Sequence, residues 1–106
     1  SYKPTYLPDG AELKNTVEQP EMLAYEYAIN ESSYFNILLS KSDTRIYADA
    51  ENTEIESFDK GGVIGYYFKK DDLNYICYER DGDFFSIYGS IDMDELIKIA
   101  AGITTE

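Results

Sequence analysis

Before residue 91 the apolar positions recur mostly at a period of two, interrupted by short polar runs; after Asp92 the spacing lengthens to three and four. That contrast predicts strands first and one helix last. Residues 2–10 carry Pro4, Pro8 and a Pro8-Asp9-Gly10 turn, the mark of an extended arm that bends before the sheet begins and lies along it. Residues 11–17 form a first strand, Pro20-Glu21 a turn, and residues 22–29 a second strand with Leu23, Tyr25, Tyr27 and Ile29 on one face. Residues 34–39 place Phe35, Ile37 and Leu39 together and complete a hairpin. In the polar stretch 40–52 only Ile46 and Tyr47 interrupt, which predicts a loop with a short strand. Residues 53–58 and 63–69 flank Asp59-Lys60-Gly61-Gly62, a second reversal, and Asp71-Asp72 leads into a third strand pair as part of a meander.

The stretch from Leu73 to Ile103 is the most legible. A two-residue type I′ turn at Asp81-Gly82 sets Arg80 opposite Asp83, Tyr78 opposite Phe85, Ile76 opposite Ile87 and Tyr75 opposite Tyr88. One face then carries Ile76, Tyr78, Phe85 and Ile87, the other Tyr75, Cys77, Phe84 and Tyr88. Two apolar faces call for two covers, one being the helix. That helix starts at Met93, with Asp92 as N-cap, Glu95 closing a capping box and Ile91 stapled to Leu96. Leu96, Ile97, Ala100 and Ile103 form its apolar stripe, and Gly102 occupies the place of a left-handed C-cap. The fold class is therefore α+β: a curved antiparallel meander of about six strands with one C-terminal α-helix packed on it. Residues 1–10 are read as the arm and 11–106 as a single α+β domain.

At 106 residues the chain is long enough to bury about 65% of its unfolded surface in one core. No apolar run approaches the roughly 20 residues of a membrane-spanning helix, so direct insertion by this segment is not expected. Opening on Ser1 without a basic, apolar leader, the chain reads as a piece of a longer or processed precursor. Twenty-one acids against nine bases give a net charge of −12, which repels phosphates and argues against nucleic acid as a partner. There is no histidine to activate the lone Cys77, so a buried thiol is expected there rather than a nucleophile.

The run Tyr78-Glu79-Arg80-Asp81-Gly82-Asp83-Phe84-Phe85-Ser86-Ile87-Tyr88-Gly89, then Ile91-Asp92-Met93-Asp94-Glu95-Leu96 and Ile99-Ala100, resembles the end of the domain-of-unknown-function family 4367. Tyr6-Leu7-Pro8-Asp9-Gly10 is similar to that family's opening motif. The resemblance implies the extracytoplasmic C-terminal part of a membrane-anchored bacterial protein, in some cases one with an anti-sigma-factor-like zinc finger, tethered to the cell envelope through a removed N-terminal segment. The family pattern usually has tryptophan where this chain has Tyr78. A large aromatic plug opposite Phe85, its hydroxyl partnered, is the structural expectation for that position.

Oxygen-bearing groupings at Asp81 and Asp83, at Asp92, Asp94 and Glu95, and at Asp49, Glu51, Asn52 and Glu54 lack the full calcium-loop pattern. A turn, a helix cap and a polar loop account for them, and neither metal nor cofactor is expected. Asn30-Glu31-Ser32 fits a glycosylation triplet. The compositional oddity is aromatic: 11 tyrosines and 5 phenylalanines. Most such rings pack sheets. If Tyr25, Tyr27, Tyr66, Tyr75 and Tyr88 are partly exposed together, they line a groove for a peptide, glycan or lipid, and the partner is a protein or small ligand. Three function classes follow, in descending order: a non-enzymatic extracytoplasmic interaction or sensing module, a carrier-like domain for a lipid or small apolar ligand, and, remotely, a carboxylate-dependent hydrolase.

Overall fold

The computed structural model describes residues 2–105, apart from the side chain of Arg45; Ser1 and Glu106, the outer limits of the two predicted segments, lie outside the described residues. Nine strands and two helices follow in the order β1 (Tyr2–Pro4), β2 (Glu12–Gln19), β3 (Met22–Ala28), β4 (Tyr34–Ser40), α1 (Asp43–Tyr47, continued by a 3-10 turn at Ala48–Ala50), β5 (Glu56–Lys60), β6 (Val63–Lys70), β7 (Leu73–Arg80), β8 (Asp83–Gly89), α2 (Met93–Ala101) and β9 (Ile103–Thr105). An antiparallel seven-stranded sheet runs β2-β3-β4-β8-β7-β6-β5, and β1 pairs with β9 in a separate ribbon. The α+β architecture with α2 packed on the sheet is as expected. The described strands exceed about six: the sheet itself has seven, and β1 and β9, three residues each, are too short to display a period.

Two corrections concern residues 40–52 and the path of the chain. That stretch holds α1 and its 3-10 extension in place of a loop with a short strand. Ile46 and Ala50, one helical turn apart, are buried against Phe68, Tyr75 and Cys77 on the sheet's second face. The meander is also not continuous. After β4 the chain crosses by way of α1 to the far edge and returns through β5, β6, β7 and β8, so that β8 closes against β4.

The final hairpin has the expected register, with Arg80 opposite Asp83, Tyr78 opposite Phe85, Ile76 opposite Ile87 and Tyr75 opposite Tyr88. Asp81 and Gly82 both adopt positive φ, as a type I′ turn requires. Between sheet and α2 lies the principal core, including Phe35, Ile76, Phe85, Ile87, Leu96 and Ile99. Tyr78 is the aromatic plug, stacked on Phe85 at 4.9 Å. Its hydroxyl, however, is buried without a hydrogen-bond partner among the described residues, contrary to expectation.

Both ends of α2 differ from the expected caps. The Asp92 carboxylate accepts from the Glu95 N–H at 2.9 Å, but the Glu95 carboxylate receives the Tyr6 hydroxyl at 2.8 Å in place of closing the box. Gly102 is right-handed at φ −87°, not left-handed. Its small size serves proximity: a Cβ there would stand 3.0 Å from the backbone nitrogen of Tyr6. Ile103 accordingly leaves the helical stripe and enters β9, where it is still buried. The arm is fastened further by Tyr2, whose ring meets Phe85 edge-on at 5.1 Å and whose hydroxyl donates to Asp83 at 2.8 Å. Lys41 donates to the same carboxylate. These donors, Lys41 first, hold the Asp83 carboxyl below the usual carboxylate range.

Candidate functional site

Strand β6 has apolar side chains on both faces, because Val63 and Tyr67 point to the principal core while Ile64, Tyr66 and Phe68 point to the second face. α1 covers only part of that second face. Phe68 is buried beneath it, Tyr66 is 47% exposed and Ile64 is 72% exposed. The cover thins over two steps of one strand, and an apolar strip emerges at the β5–β6 end of the sheet. Ile55, 49% exposed just before β5, extends the strip.

Tyr47, the last residue of α1, meets Tyr66 edge-on with ring centroids 6.0 Å apart. Open depressions flank this pair on both sides. The larger, of about 710 Å³, is lined by Thr44, Ala50, Glu51 and Ile55; the smaller, of about 370 Å³, by Ser57, Ile64, Glu79 and Phe84. Tyr47 and Tyr66 line both. Burial, with added pressure from Cys77, Tyr66, Asp43 and Glu79, pushes the Tyr47 hydroxyl up to about 12. At neutral pH it is protonated and can donate.

The chain around this strip is acidic. Residues 43–59 carry Asp43, Asp49, Glu51, Glu54, Glu56 and Asp59 against one base, Arg45. Asp49 lies 3.9 Å from Lys70, a loose contact at the surface. What the site offers is therefore apolar area, two aromatic edges and negative potential. Reactive groups are elsewhere or shielded. Cys77 is fully buried under α1, its thiol 3.7 Å from the Ile46 carbonyl and 3.8 Å from the Ser86 hydroxyl, and burial pushes it up to about 12.

The five tyrosines singled out in the sequence do not share one groove. Tyr66 lies on the exposed strip. Tyr75 is on the same face but buried, stacked between Phe68 at 4.6 Å and Tyr88 at 4.8 Å, and Tyr88 receives the Asn36 amide on its hydroxyl. Tyr25 and Tyr27 are on the opposite face of the sheet, where Tyr27 stacks on Phe35 at 4.8 Å and Tyr25 borders the principal core. The sheet itself separates the two groups. Tyr47, Ile55 and Ile64 complete the strip and were not singled out; the signal was the two-faced apolarity of β6. Two of the acidic groupings are engaged locally, Asp83 with Tyr2 and Lys41 and Asp92 with α2, and the Asn30 side chain caps its own turn by accepting from the Ser32 and Ser33 N–H groups.

No curated protein matches this sequence. Several solved chains share the fold, two of them as follows at low identity. One is a crystal structure of MucB in complex with MucA(peri), with a TM-score of 0.61 and 10% identity, covering 99% of this chain and 36% of that one. The other is the complex of Pseudomonas aeruginosa MucA and MucB, with a TM-score of 0.56 and 12% identity, covering 99% and 35%. The chain thus spans about a third of the length of these neighbours. Over residues 1–103 the sequence matches the family model described as "Domain of unknown function (DUF4367)". With almost its whole length matched, the chain belongs to the DUF4367 family.

Proposed function

We propose that this domain is a non-enzymatic protein-interaction module, working outside the cytoplasm as part of a membrane-anchored bacterial protein, and that it binds through the Tyr47–Tyr66 strip. The observation that carries the reading is the incomplete cover: Ile55, Ile64 and Tyr66 stand exposed together beside the part of the sheet face that α1 buries. Contiguous apolar area of this kind, rimmed by polar groups, is characteristic of contact surfaces. The fold shared with MucB, solved in complex with MucA, supports a protein as the partner class. Among the described residues no helix is long and apolar enough to cross a membrane, which is consistent with a tether lying outside this segment.

The competing chemistries fit less well. A hydrolase acid requires a raised pKa in a cleft, whereas the enclosed carboxylate, Asp83, is held low by its donors. A carrier for an apolar ligand requires roughly 300 Å³ or more of sheltered space. The more sheltered cavity, between the terminal ribbon and the sheet and lined by Tyr2, Leu23, Tyr25 and Ile37 among others, offers about 50 Å³, while the hollows of about 710 and 600 Å³ are more open to solvent.

Site-specific photocrosslinking in the full parent protein, in its native cell, tests the reading. A photoreactive residue at Ile64 should give one discrete protein adduct that the same residue at Lys98, on the exposed side of α2, does not give. Equal labelling from both positions, or from neither, would reject the strip as the contact surface.

A further inference from the structure

Resting on that reading, we infer that the partner anchors itself by an arginine, whose guanidinium enters the smaller depression beside Tyr47, Tyr66, Phe84 and Glu79 while its aliphatic stem lies along Ile64. Three observations carry this. The first is the lining. The depression of about 370 Å³ joins three aromatic residues to one carboxylate. A guanidinium satisfies both at once, stacking on a ring face and donating its N–H groups to the acid. A purely apolar side chain would desolvate Glu79 without pairing it, and an anionic one would be repelled.

The second is register. On this face of the sheet Asp59 stands opposite Ile64, and the Tyr66–Cys77 pairing, carried two residues along, sets Glu79 on the other side of Ile64. Glu79 in turn faces Phe84 across β7 and β8. Ile64, the most exposed large apolar side chain of the strip, is therefore held between two carboxylates, each one strand or roughly 5 Å away. An apolar stem that ends in a delocalised cation matches that arrangement in both shape and sign.

The third is where the chain's own cations go. Lys60 and Arg80, the bases next in sequence to these acids, are engaged on the opposite face: Lys60 reaches Asp94 of α2 at 3.5 Å, and Arg80 donates to the Ile103 carbonyl and lies over the Tyr2 ring at 5.6 Å. No ion pair among the described residues engages Asp59 or Glu79. The charges of Asp43 and Glu79 are felt at the Tyr47 hydroxyl, which both push up. The negative potential at the depression is thus uncompensated from within, and a cation brought by the partner completes it.

The test uses this chain, isotope-labelled for NMR, and three capped tripeptides carrying arginine, lysine or citrulline between two alanines. The arginine peptide should shift the amide signals of Ile64, Tyr66, Glu79 and Phe84 saturably and weaken as salt is raised. Citrulline, which keeps the shape and loses the charge, should bind about fivefold more weakly, and lysine about threefold more weakly for want of the planar stack. Phe84→Leu should cut arginine affinity about threefold, and Glu79→Gln should do the same. Glu79→Lys should abolish the shifts, whereas Glu18→Lys, an equal change of net charge on β2 at the far edge of the sheet, should leave them unchanged. If Glu18→Lys weakens binding as much as Glu79→Lys, the attraction is to the charge of the whole chain and the pocket is rejected. If lysine or citrulline binds equally, if the shifts map elsewhere or if nothing binds, the arginine assignment is overturned. The crosslink at Ile64 judges the broader reading separately, so an adduct there without arginine binding would keep the surface and remove this occupant.

Discussion

Gly65 sets the geometry beneath the candidate surface, and Gly65→Ala measures how firmly. A Cβ built there would stand 2.3 Å from the Cys77 carbonyl oxygen and 3.0 Å from the Tyr78 Cβ, against atoms of β7 that cannot rotate away. Relief to ordinary contact requires β6 and β7 to part by about 1 Å. Overpacking of this kind costs about 1–3 kcal/mol, and loosening the adjoining Tyr66–Cys77 pair costs about 1 kcal/mol more. The smaller unfolded-state entropy of alanine returns about 0.4–1 kcal/mol. The net loss is roughly 1–3.5 kcal/mol, a sizeable share of the 5–15 kcal/mol typical of a domain. Gly62→Ala is the control, since its φ is +83° but a Cβ meets nothing within 4 Å, leaving only about 1 kcal/mol of left-handed strain. Urea unfolding followed by far-UV circular dichroism would rank the two, and tyrosine fluorescence serves as a second probe because the chain has no tryptophan. If Gly65→Ala costs no more than Gly62→Ala, the close approach of β6 to β7 is not what positions Ile64 and Tyr66.

Tyr78→Phe should raise stability by about 1 kcal/mol, because it removes a buried hydroxyl with no described partner while keeping the stack on Phe85; a loss of that size in the same unfolding assay would mean the hydroxyl is satisfied. Asp83 has a folded pKa below its unfolded one, so its contribution is complete above about pH 4 and is lost as the pH falls through the folded value. Asp83→Asn should therefore cost about 1–2 kcal/mol at pH 7 and converge with wild type in acid, a convergence that acid titration of the unfolding midpoint would check. Cys77, buried and pushed up to about 12, should resist thiol reagents at pH 8 until the chain unfolds, and fast labelling of the native protein would contradict the sealed second face. Ile64→Ser should leave the unfolding free energy, read from urea titration, within about 0.5 kcal/mol of wild type, since the side chain is mostly in water already.

What could be read in advance was what local pattern dictates. The Asp81-Gly82 turn fixes the register of β7 and β8 through its own backbone conformation, and Asp92 marks the start of α2 through one hydrogen bond three residues on. α1 escaped because five residues give barely one helical turn, and the Ile46-to-Ala50 spacing is too brief to stand out from a polar run. The Gly102 conformation and the diversion of Glu95 to Tyr6 depend on an arm some 90 residues away in sequence. The position of β5 at the far edge is likewise nonlocal. The aromatic richness was plain, but which rings face water depends on where α1 stops on the sheet. Tyr75 is buried beneath α1 and between Phe68 and Tyr88, whereas Tyr66 lies where the helix ends, against Tyr47.

Competition in the parent's own setting puts the central claim to its most direct test. The isolated domain, added in excess, should abolish the adduct formed from the photoreactive residue at Ile64, whereas a domain carrying Tyr66→Ser and Ile64→Ser, with an unchanged melting temperature, should leave the adduct intact. Equal competition by both domains would contradict a contact made through the Tyr47–Tyr66 strip.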